Sequence, residues 1–169
     1  KDSFDYLNKI DFDKYDLYLF TAGFLGNNKL AENNTFEAMN ICKVNYSNLI
    51  PLISIVYKNI ENTKKIKRLW VFSSVAADIG RPSNYHYGAA KAGFTTFCEG
   101  LFYRSYKKPI LVRIIKAGFI ATKMSKGKAP KFLSVHPSKL AKNLLRNPNR
   151  RGIEYKPWWW NFFMKVIKK

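Results

Sequence analysis

Short apolar runs alternate along this chain with longer segments in which apolar residues recur every three or four positions. The short runs are typical of buried strands and the longer segments of helices. Loops rich in Gly, Pro, Ser and Asn separate them. This alternation predicts an α/β fold with a parallel sheet and right-handed crossovers. The predicted strands are Tyr15 to Phe20, Leu69 to Ser73, Ile110 to Ile115 and Gly152 to Tyr155.

Three helices are predicted to flank these strands. Asn34 and Glu37 resemble a capping box that opens a long helix ending at about Asn62. Pro51 lies inside that stretch and predicts a kink or a break. The other predicted segments are helices from Asn84 to about Tyr106 and from Pro137 to Arg146, a loop from Leu25 to Asn34, a basic connector from Lys64 to Arg68 and a mobile substrate loop from Lys116 to Leu133.

Length and composition fit one α/β domain over residues 1–169, with 47% hydrophobic residues to form its core. Cys42 and Cys98 show neither metal-ligand spacing nor a disulfide framework, which favours a reducing cytosol. His86 and His136 are isolated, so no metal site is predicted. Neither a signal peptide nor a membrane-spanning run of about eighteen apolar residues is predicted.

The candidate chemistry centres on Ser74, Tyr87 and Lys91. If the stretch after Tyr87 is helical, Tyr87 and Lys91 share one face, one turn apart. An ammonium beside a phenol lowers the tyrosine pKa, so the phenol can exchange a proton near neutral pH. A serine hydroxyl can hold a substrate carbonyl beside it. The set predicts carbonyl reduction or alcohol oxidation with a nucleotide cofactor, whereas the spacing alone also fits a solvated helix face.

Two further segments make the chain resemble the short-chain dehydrogenase/reductase family. Thr21-Ala22-Gly23 is similar to the family's Asn-Asn-Ala-Gly element, and residues 117–124 are similar to its Pro-Gly-x-x-x-Thr-x-Met segment. The resemblance implies a Rossmann-like sheet with flanking helices, an NAD(P) cofactor with NADP slightly favoured, and a relay water held by Asn45. The implied catalytic residues are Asn45, Ser74, Tyr87 and Lys91, and the implied cofactor-binding residues are Ala22, Gly23, Tyr87, Lys91, Gly118, Ile120 and Thr122.

The sequence departs from the family in its nucleotide-binding half. The family's glycine-rich loop, which receives a pyrophosphate at a helix N-terminus, has no counterpart in these residues. The strand near Tyr15 matches the family's fourth strand, so roughly 60–80 residues of a first βαβ unit would be expected before it. The simplest explanation is a fragment, and a degenerate member that has lost its cofactor is the second. Ala117 also stands where the family usually has proline.

The formal net charge of +19, from 30 basic and 11 acidic residues, favours an anionic partner. A phosphorylated substrate, an acidic lipid and a nucleic acid all fit, and so does a purely compositional origin in a chain rich in Lys, Asn, Ile, Phe and Tyr. No module for reading nucleic acid is recognisable, so no specific nucleic-acid partner is predicted.

Residues 157–169 are predicted to form an amphipathic tail helix that is too short to span a bilayer. Aromatic residues beside lysines favour docking of Trp158 to Ile167 in a membrane interface. The alternative is a terminal helix packed on the core or on a second subunit. The expected location is the cytoplasm, peripheral at the inner face of the membrane. The apolar face of the helix is predicted at Trp159, Phe162, Phe163, Val166 and Ile167.

The predicted Tyr87 helix carries a second apolar stripe, formed by Phe94, Phe97, Leu101 and Phe102. In the family the two long helices form a dimer face, so the resemblance implies a homo-oligomer. An intrachain core is the alternative.

Two functions compete. The first is an NAD(P)H-dependent reductase of a ketone, with Tyr87 as proton donor. The tail and residues 118–124 are similar to a branch of the family that reduces a keto sugar on a polyprenyl-phosphate carrier. That similarity implies a lipid-linked or nucleotide-linked ketosugar as substrate. The second function is a non-catalytic membrane-surface or scaffold protein on a degenerate fold of this family, which nucleotide binding would contradict.

Overall fold

Four parallel strands form one sheet, in the order β1-β2-β3-β4. They confirm the four predicted strands and the Rossmann-like α/β fold class. The computed structural model describes residues 5–125 and 130–167. In the register, Ser74 at the end of β2 lies opposite Ala117 at the end of β3. The strands are β1 (Leu17–Phe20), β2 (Lys67–Ser74), β3 (Ile110–Ala117) and β4 (Gly152–Lys156).

Six α-helices lie in the described part of the chain: α1 (Asn28–Ala31), α2 (Thr35–Cys42), α3 (Leu49–Ile60), α4 (Tyr85–Arg104), α5 (Pro137–Leu145) and α6 (Trp159–Ile167). The one-turn helix α1 corrects the loop predicted from Leu25 to Asn34. It forms because the Asn27 side chain accepts a hydrogen bond from the Leu30 N–H. The predicted substrate loop begins two residues later in the structure than the predicted start at Lys116, because β3 continues through Lys116 and Ala117. Residues 126–129 of that loop lie outside the described residues.

The long helix predicted from Asn34 is broken, as Pro51 suggested, although the break precedes the proline. Asn34 caps α2 by accepting a hydrogen bond from the Glu37 N–H. A five-residue π-helix, Lys43–Ser47, then separates α2 from α3. Pro51 lies in the first turn of α3, where its missing N–H has no intrahelical partner to lose.

The core lies on both faces of the sheet. On one face Ile53 of α3 and Phe94 of α4 pack in a cluster with Ile114 of β3. On the other face α5 contributes Leu140 to a cluster with Trp70 of β2. The rest of the Phe94 stripe (Phe97, Leu101 and Phe102) is partly buried and packs against the first cluster. This stripe therefore serves the intrachain core, and the homo-oligomer stays a prediction.

The basic connector predicted from Lys64 to Arg68 is wrong at its C-terminal end, because β2 begins at Lys67 and the Lys67 side chain is fully buried. Its ammonium donates to three backbone carbonyls that precede β1, at distances of 2.8–3.1 Å. These contacts supply the partners that a buried charge requires. The carbonyls belong to Phe12, Asp13 and Tyr15.

The tail forms α6, whose Trp160 and Met164 are buried against Val75 and its neighbours. This face differs from the predicted stripe, most of which is exposed. Among the residues that the structure describes, no helix is long and apolar enough to cross a membrane.

Candidate active site

A cleft of about 810 Å³ opens at the carboxyl ends of β1, β2 and β3. Open parallel sheets bind ligands at this end of their strands. The loops that follow the three strands and the first turns of α4 form its walls. Every predicted site residue except Asn45 lines this cleft: Ala22, Gly23, Ser74, Tyr87, Lys91, Gly118, Ile120 and Thr122.

Helix α4 brings Tyr87 to the end of β2. Gly88 allows this, because a Cβ at Gly88 would lie only 2.9 Å from the backbone oxygen of Ala76 in the turn after β2. A side chain at position 88 would therefore push α4 away from that turn. The close packing places the Tyr87 phenol beside the Ser74 hydroxyl, near enough for Ser74 to influence the pKa of the phenol. Gly88 lies between Tyr87 and Lys91 in the sequence, but the four-residue spacing of those two side chains gave no reason to expect a role for it.

The structure distinguishes the two serines at the end of β2. Ser73 is buried and shares a 2.5 Å hydrogen bond with the Thr95 hydroxyl, within the contact between β2 and α4. Ser74 caps the short turn that follows, because its Oγ accepts a hydrogen bond from the Ala76 N–H at 3.1 Å. Ser74 also lies beside Tyr87 in the cleft and influences the pKa of its phenol. Ser74 is therefore the serine available to a carbonyl beside Tyr87.

Lys91 lies one turn after Tyr87, as the spacing predicts. Its Nζ donates to the backbone oxygens of Phe72, at 3.2 Å, and Ala22, at 3.4 Å, and lies 5.9 Å from the centroid of the Tyr87 ring. These bonds join the ends of β1 and β2 to α4. Burial lowers the pKa of Lys91 to about 8.

The expected lowering of the Tyr87 pKa is wrong. Burial raises the pKa of the phenol, and the neighbouring Ser74 hydroxyl offsets only part of that rise. The spacing of Tyr87 and Lys91 indicates the effect of the lysine charge on the phenol, but it does not contain the effect of removing the phenol from water. The outcome is a phenol that keeps its proton at neutral pH.

Asn45 is fully buried in the π-helix, and its side chain links that helix to the loop after β1. Its Nδ2 donates to the carbonyl oxygens of Phe24, at 2.6 Å, and Ile41, at 2.8 Å, while its Oδ1 accepts from the Phe24 N–H at 3.1 Å. A relay water held by this side chain would therefore have to donate to Oδ1, because both Nδ2 hydrogens are used. Asn45 does not line the cleft, but its Oδ1 lies close to Gly23, which does. A Cβ added to Gly23 would be 3.5 Å from Asn45 Oδ1 and 3.7 Å from Lys91 Nζ.

The loop after β3 forms the third wall of the cleft. A side chain at Gly118 would collide with the indole of Trp160, so the absence of one lets α6 pack against this loop. Ile120 pairs with Val135, which holds the loop in place. The Thr122 N–H donates to Ser125 Oγ at 3.1 Å. Sequence reasoning missed Trp160, because its contact with Gly118 joins distant parts of the chain and leaves no local pattern.

Among the described residues, the charged side chains that line the cleft are all cationic: Lys29, Arg81 and Lys91. This charge suits a phosphorylated ligand. The volume is also within the range of pockets that hold organic ligands. The floor at Ala22 and Gly23 has little side-chain bulk, so a flat ring could lie close to Lys91. The described residues therefore fit the nicotinamide end of a dinucleotide.

The fold and the site define a Rossmann-like α/β domain with a Ser-Tyr-Lys cluster at its strand ends. A family model described as short chain dehydrogenase matches residues 5–131. The chain is 31% identical over 137 residues to an uncharacterised oxidoreductase of Mycobacterium tuberculosis, covering 80% of this chain and 55% of the relative. It is 28% identical over 130 residues to the 3-oxoacyl-(acyl-carrier-protein) reductase of Buchnera aphidicola, covering 77% and 53%.

A solved short chain dehydrogenase of Shigella flexneri, complexed with NADP, has a similar fold. Its TM-score is 0.69 at 19% identity, with 83% of this chain and 62% of that chain covered. The chain belongs to the short chain dehydrogenase family. It spans about half the length of the curated relatives it matches.

Proposed function

We propose that this protein reduces a ketone to an alcohol with NAD(P)H and that Tyr87 donates the proton. The observation that carries the proposal is that Ser74, Tyr87 and Lys91 line the same cleft, with Lys91 Nζ 5.9 Å from the centroid of the Tyr87 ring. Membership of the short chain dehydrogenase family supports the reaction class. The NADP bound to the Shigella flexneri neighbour supports the cofactor class.

Ser74 and Tyr87 act together on the carbonyl oxygen. The Ser74 hydroxyl donates a hydrogen bond to that oxygen and keeps it beside the phenol. Because burial raises its pKa, Tyr87 is protonated at neutral pH, which is the form that a proton donor needs. An alkoxide is far more basic than a phenolate, so the proton passes from Tyr87 Oη to the substrate oxygen as the alcohol forms.

Lys91 stabilises the phenolate that this transfer leaves. A protonated Nζ about one turn from Tyr87 attracts the new negative charge, and the buried setting strengthens the attraction. Its bonds to Phe72 and Ala22 fix the ammonium while the charge develops. With a pKa of about 8, Lys91 is mostly protonated at neutral pH.

The nicotinamide group, when bound, supplies the hydride. Ala22 and Gly23 on one side of the cleft, and Gly118, Ile120 and Thr122 on the other, would hold it. Lys29 and Arg81 give the cleft the positive charge that suits the cofactor's phosphates. We favour NADP, a choice that rests on the reductive direction and is tested by comparing kcat/KM with NADPH and NADH.

For the substrate we propose a ketone on a phosphorylated carrier, such as a lipid-linked or nucleotide-linked ketosugar. The support is the cationic lining of the cleft, in which Arg81 lies beside α6, its NH2 3.8 Å from Met164 Sδ. A phosphorylated ketone should then have a higher kcat/KM than its neutral analogue. The Arg81→Met variant should show a smaller preference for the phosphorylated ketone.

The proposal is tested by expressing the whole coding sequence and measuring NADPH and NADH oxidation with a panel of ketones. Nucleotide binding is measured on the same sample by titration. Turnover that requires a ketone supports the proposal. Absence of nucleotide binding would instead support a non-catalytic scaffold.

A further inference from the structure

Helix α6 presents an apolar surface that the rest of the described chain does not cover. Trp160 and Met164 face inwards, and the Trp160 ring lies 5.5 Å from the ring of Phe119. The opposite side remains exposed, with Trp158 at 74% and Phe162 at 66% exposure. The α6 apolar face consists of Trp158, which immediately precedes the helix, and of Phe162, Phe163, Val166 and Ile167 within it.

The size of the α6 apolar face marks it as a contact surface. Aromatic side chains carry roughly 150–250 Å² each, so the exposed parts of these five side chains amount to roughly 500 Å². A patch of this size is comparable to the largest apolar patch on a typical monomer, and such patches often have a function. A second copy of the chain is a poor occupant, because a stable interface buries roughly 800 Å² per partner.

Charge favours a different occupant. The chain carries a formal net charge of +19. This charge makes two copies repel each other and attracts the chain to an anionic bilayer surface. The polar side of α6 has the same sign, because Lys165 is exposed there, one turn after Asn161. Lysine can lay its apolar stem along the surface and keep its ammonium among lipid headgroups.

We propose that α6 is a membrane-docking helix that inserts the α6 apolar face into the interface of an anionic bilayer. Trp158 and Phe162 enter at the level of the headgroups and upper acyl chains, and the helix lies parallel to the surface. The insertion uses side chains that are already exposed, so the fold need not open. The proposal does not depend on the proposed reaction.

The position of α6 gives docking a consequence for the cleft. Trp160 packs between the α6 apolar face and the loop after β3, in contact with Gly118 and Phe119. Both of those residues line the cleft. A bilayer on the outer side of α6 therefore lies one helix away from the candidate active site.

The test is flotation of the purified protein with vesicles of phosphatidylcholine, with and without phosphatidylglycerol. The wild-type protein should float with the mixed vesicles, and added salt should weaken that binding. The double variant Trp158→Ser/Phe162→Ser should bind at least about tenfold more weakly. Phe36→Ser is the matched control, because Phe36 is 76% exposed on α2 and lies outside the α6 apolar face. This variant should bind as the wild type does.

A fluorescence measurement separates insertion from unfolding. Mixed vesicles should shift the tryptophan emission of the wild-type protein to the blue, because Trp158 leaves water. Trp158→Phe should keep the binding and lose most of that shift. The proposal is overturned if the wild-type protein does not float, if the double variant floats equally well, or if Phe36→Ser loses as much binding. It is also overturned if the double substitution converts a dimer into a monomer in sedimentation without affecting flotation.

Discussion

Gly88 and Ala76 lie so close that a Cβ on Gly88 would be 2.9 Å from the Ala76 carbonyl oxygen. This contact packs the first turn of α4 against the turn that follows β2. Tyr87 and Ser74 lie on the two sides of the contact and both line the cleft. The missing side chain of Gly88 thus brings the proposed proton donor to its serine partner.

Gly88→Ala should destabilise the fold by about 1–3 kcal/mol, because the obstructing atom is backbone and cannot rotate away. Gly100→Ala on the same helix is the control, since nothing lies within 4 Å of its added Cβ. That change should be neutral or stabilising by up to about 1 kcal/mol. Urea unfolding of both variants measures the difference. Equal stabilities for the two variants would contradict the role assigned to Gly88.

Asn45→Ala should cost about 2–4 kcal/mol of unfolding free energy, because the partly buried backbone groups of Phe24 and the buried carbonyl of Ile41 lose a partner. Asn59→Ala is a matched control. Asn59 also donates to a carbonyl four residues earlier, at 2.9 Å, but is exposed. Its loss should cost less than about 1 kcal/mol. Similar losses in the two variants would show that Asn45 does not hold the π-helix to the loop after β1.

Lys91 should make the free energy of unfolding increase as the pH is raised above 8. Its pKa is about 8 in the folded protein, against an ordinary value of 10.5 for a lysine in water. Between these values the unfolded chain holds a proton that the folded protein has released, so raising the pH favours folding. Below pH 8 both states are charged, and the full cost of burying the ammonium is present. The difference between the two pKa values corresponds to about 3 kcal/mol of unfolding free energy.

Urea unfolding of wild type and Lys91→Met from pH 7 to 10.5 measures this effect. The wild-type protein should gain up to about 3 kcal/mol over the variant across that range. Lys142→Met on α5, an exposed site, controls for the loss of one lysine. Parallel profiles for wild type and Lys91→Met would show that burial does not perturb Lys91.

The strands and α4 could be predicted from sequence because their signals are local. An apolar run ends at Ser74, and a loop rich in Gly, Pro and Ser precedes α4. Strand ends in a parallel sheet meet at one edge, so the candidate site residues could be placed together. The pKa of Tyr87 could not be predicted, because it depends on burial, which the spacing of two residues does not contain.

Long-range contacts limited the other predictions. Lys67 lies in a basic stretch, yet the carbonyls that bind it are more than fifty residues earlier in the chain. The tail shows a different limit. Apolar side chains cover most of the circumference of α6, so periodicity could not show that Trp160 and Met164 are the residues that face the core.

The most direct test of the account is the turnover of Tyr87→Phe in protein expressed from the whole coding sequence. Tyr85→Phe is the matched control, because Tyr85 lies two residues earlier on α4 and is exposed. Loss of the Tyr87 hydroxyl should reduce kcat for ketone reduction at least about a hundredfold and leave nucleotide binding unchanged. Tyr85→Phe should keep wild-type turnover. Turnover of Tyr87→Phe within a factor of about ten of wild type would contradict the assignment of Tyr87 as the proton donor.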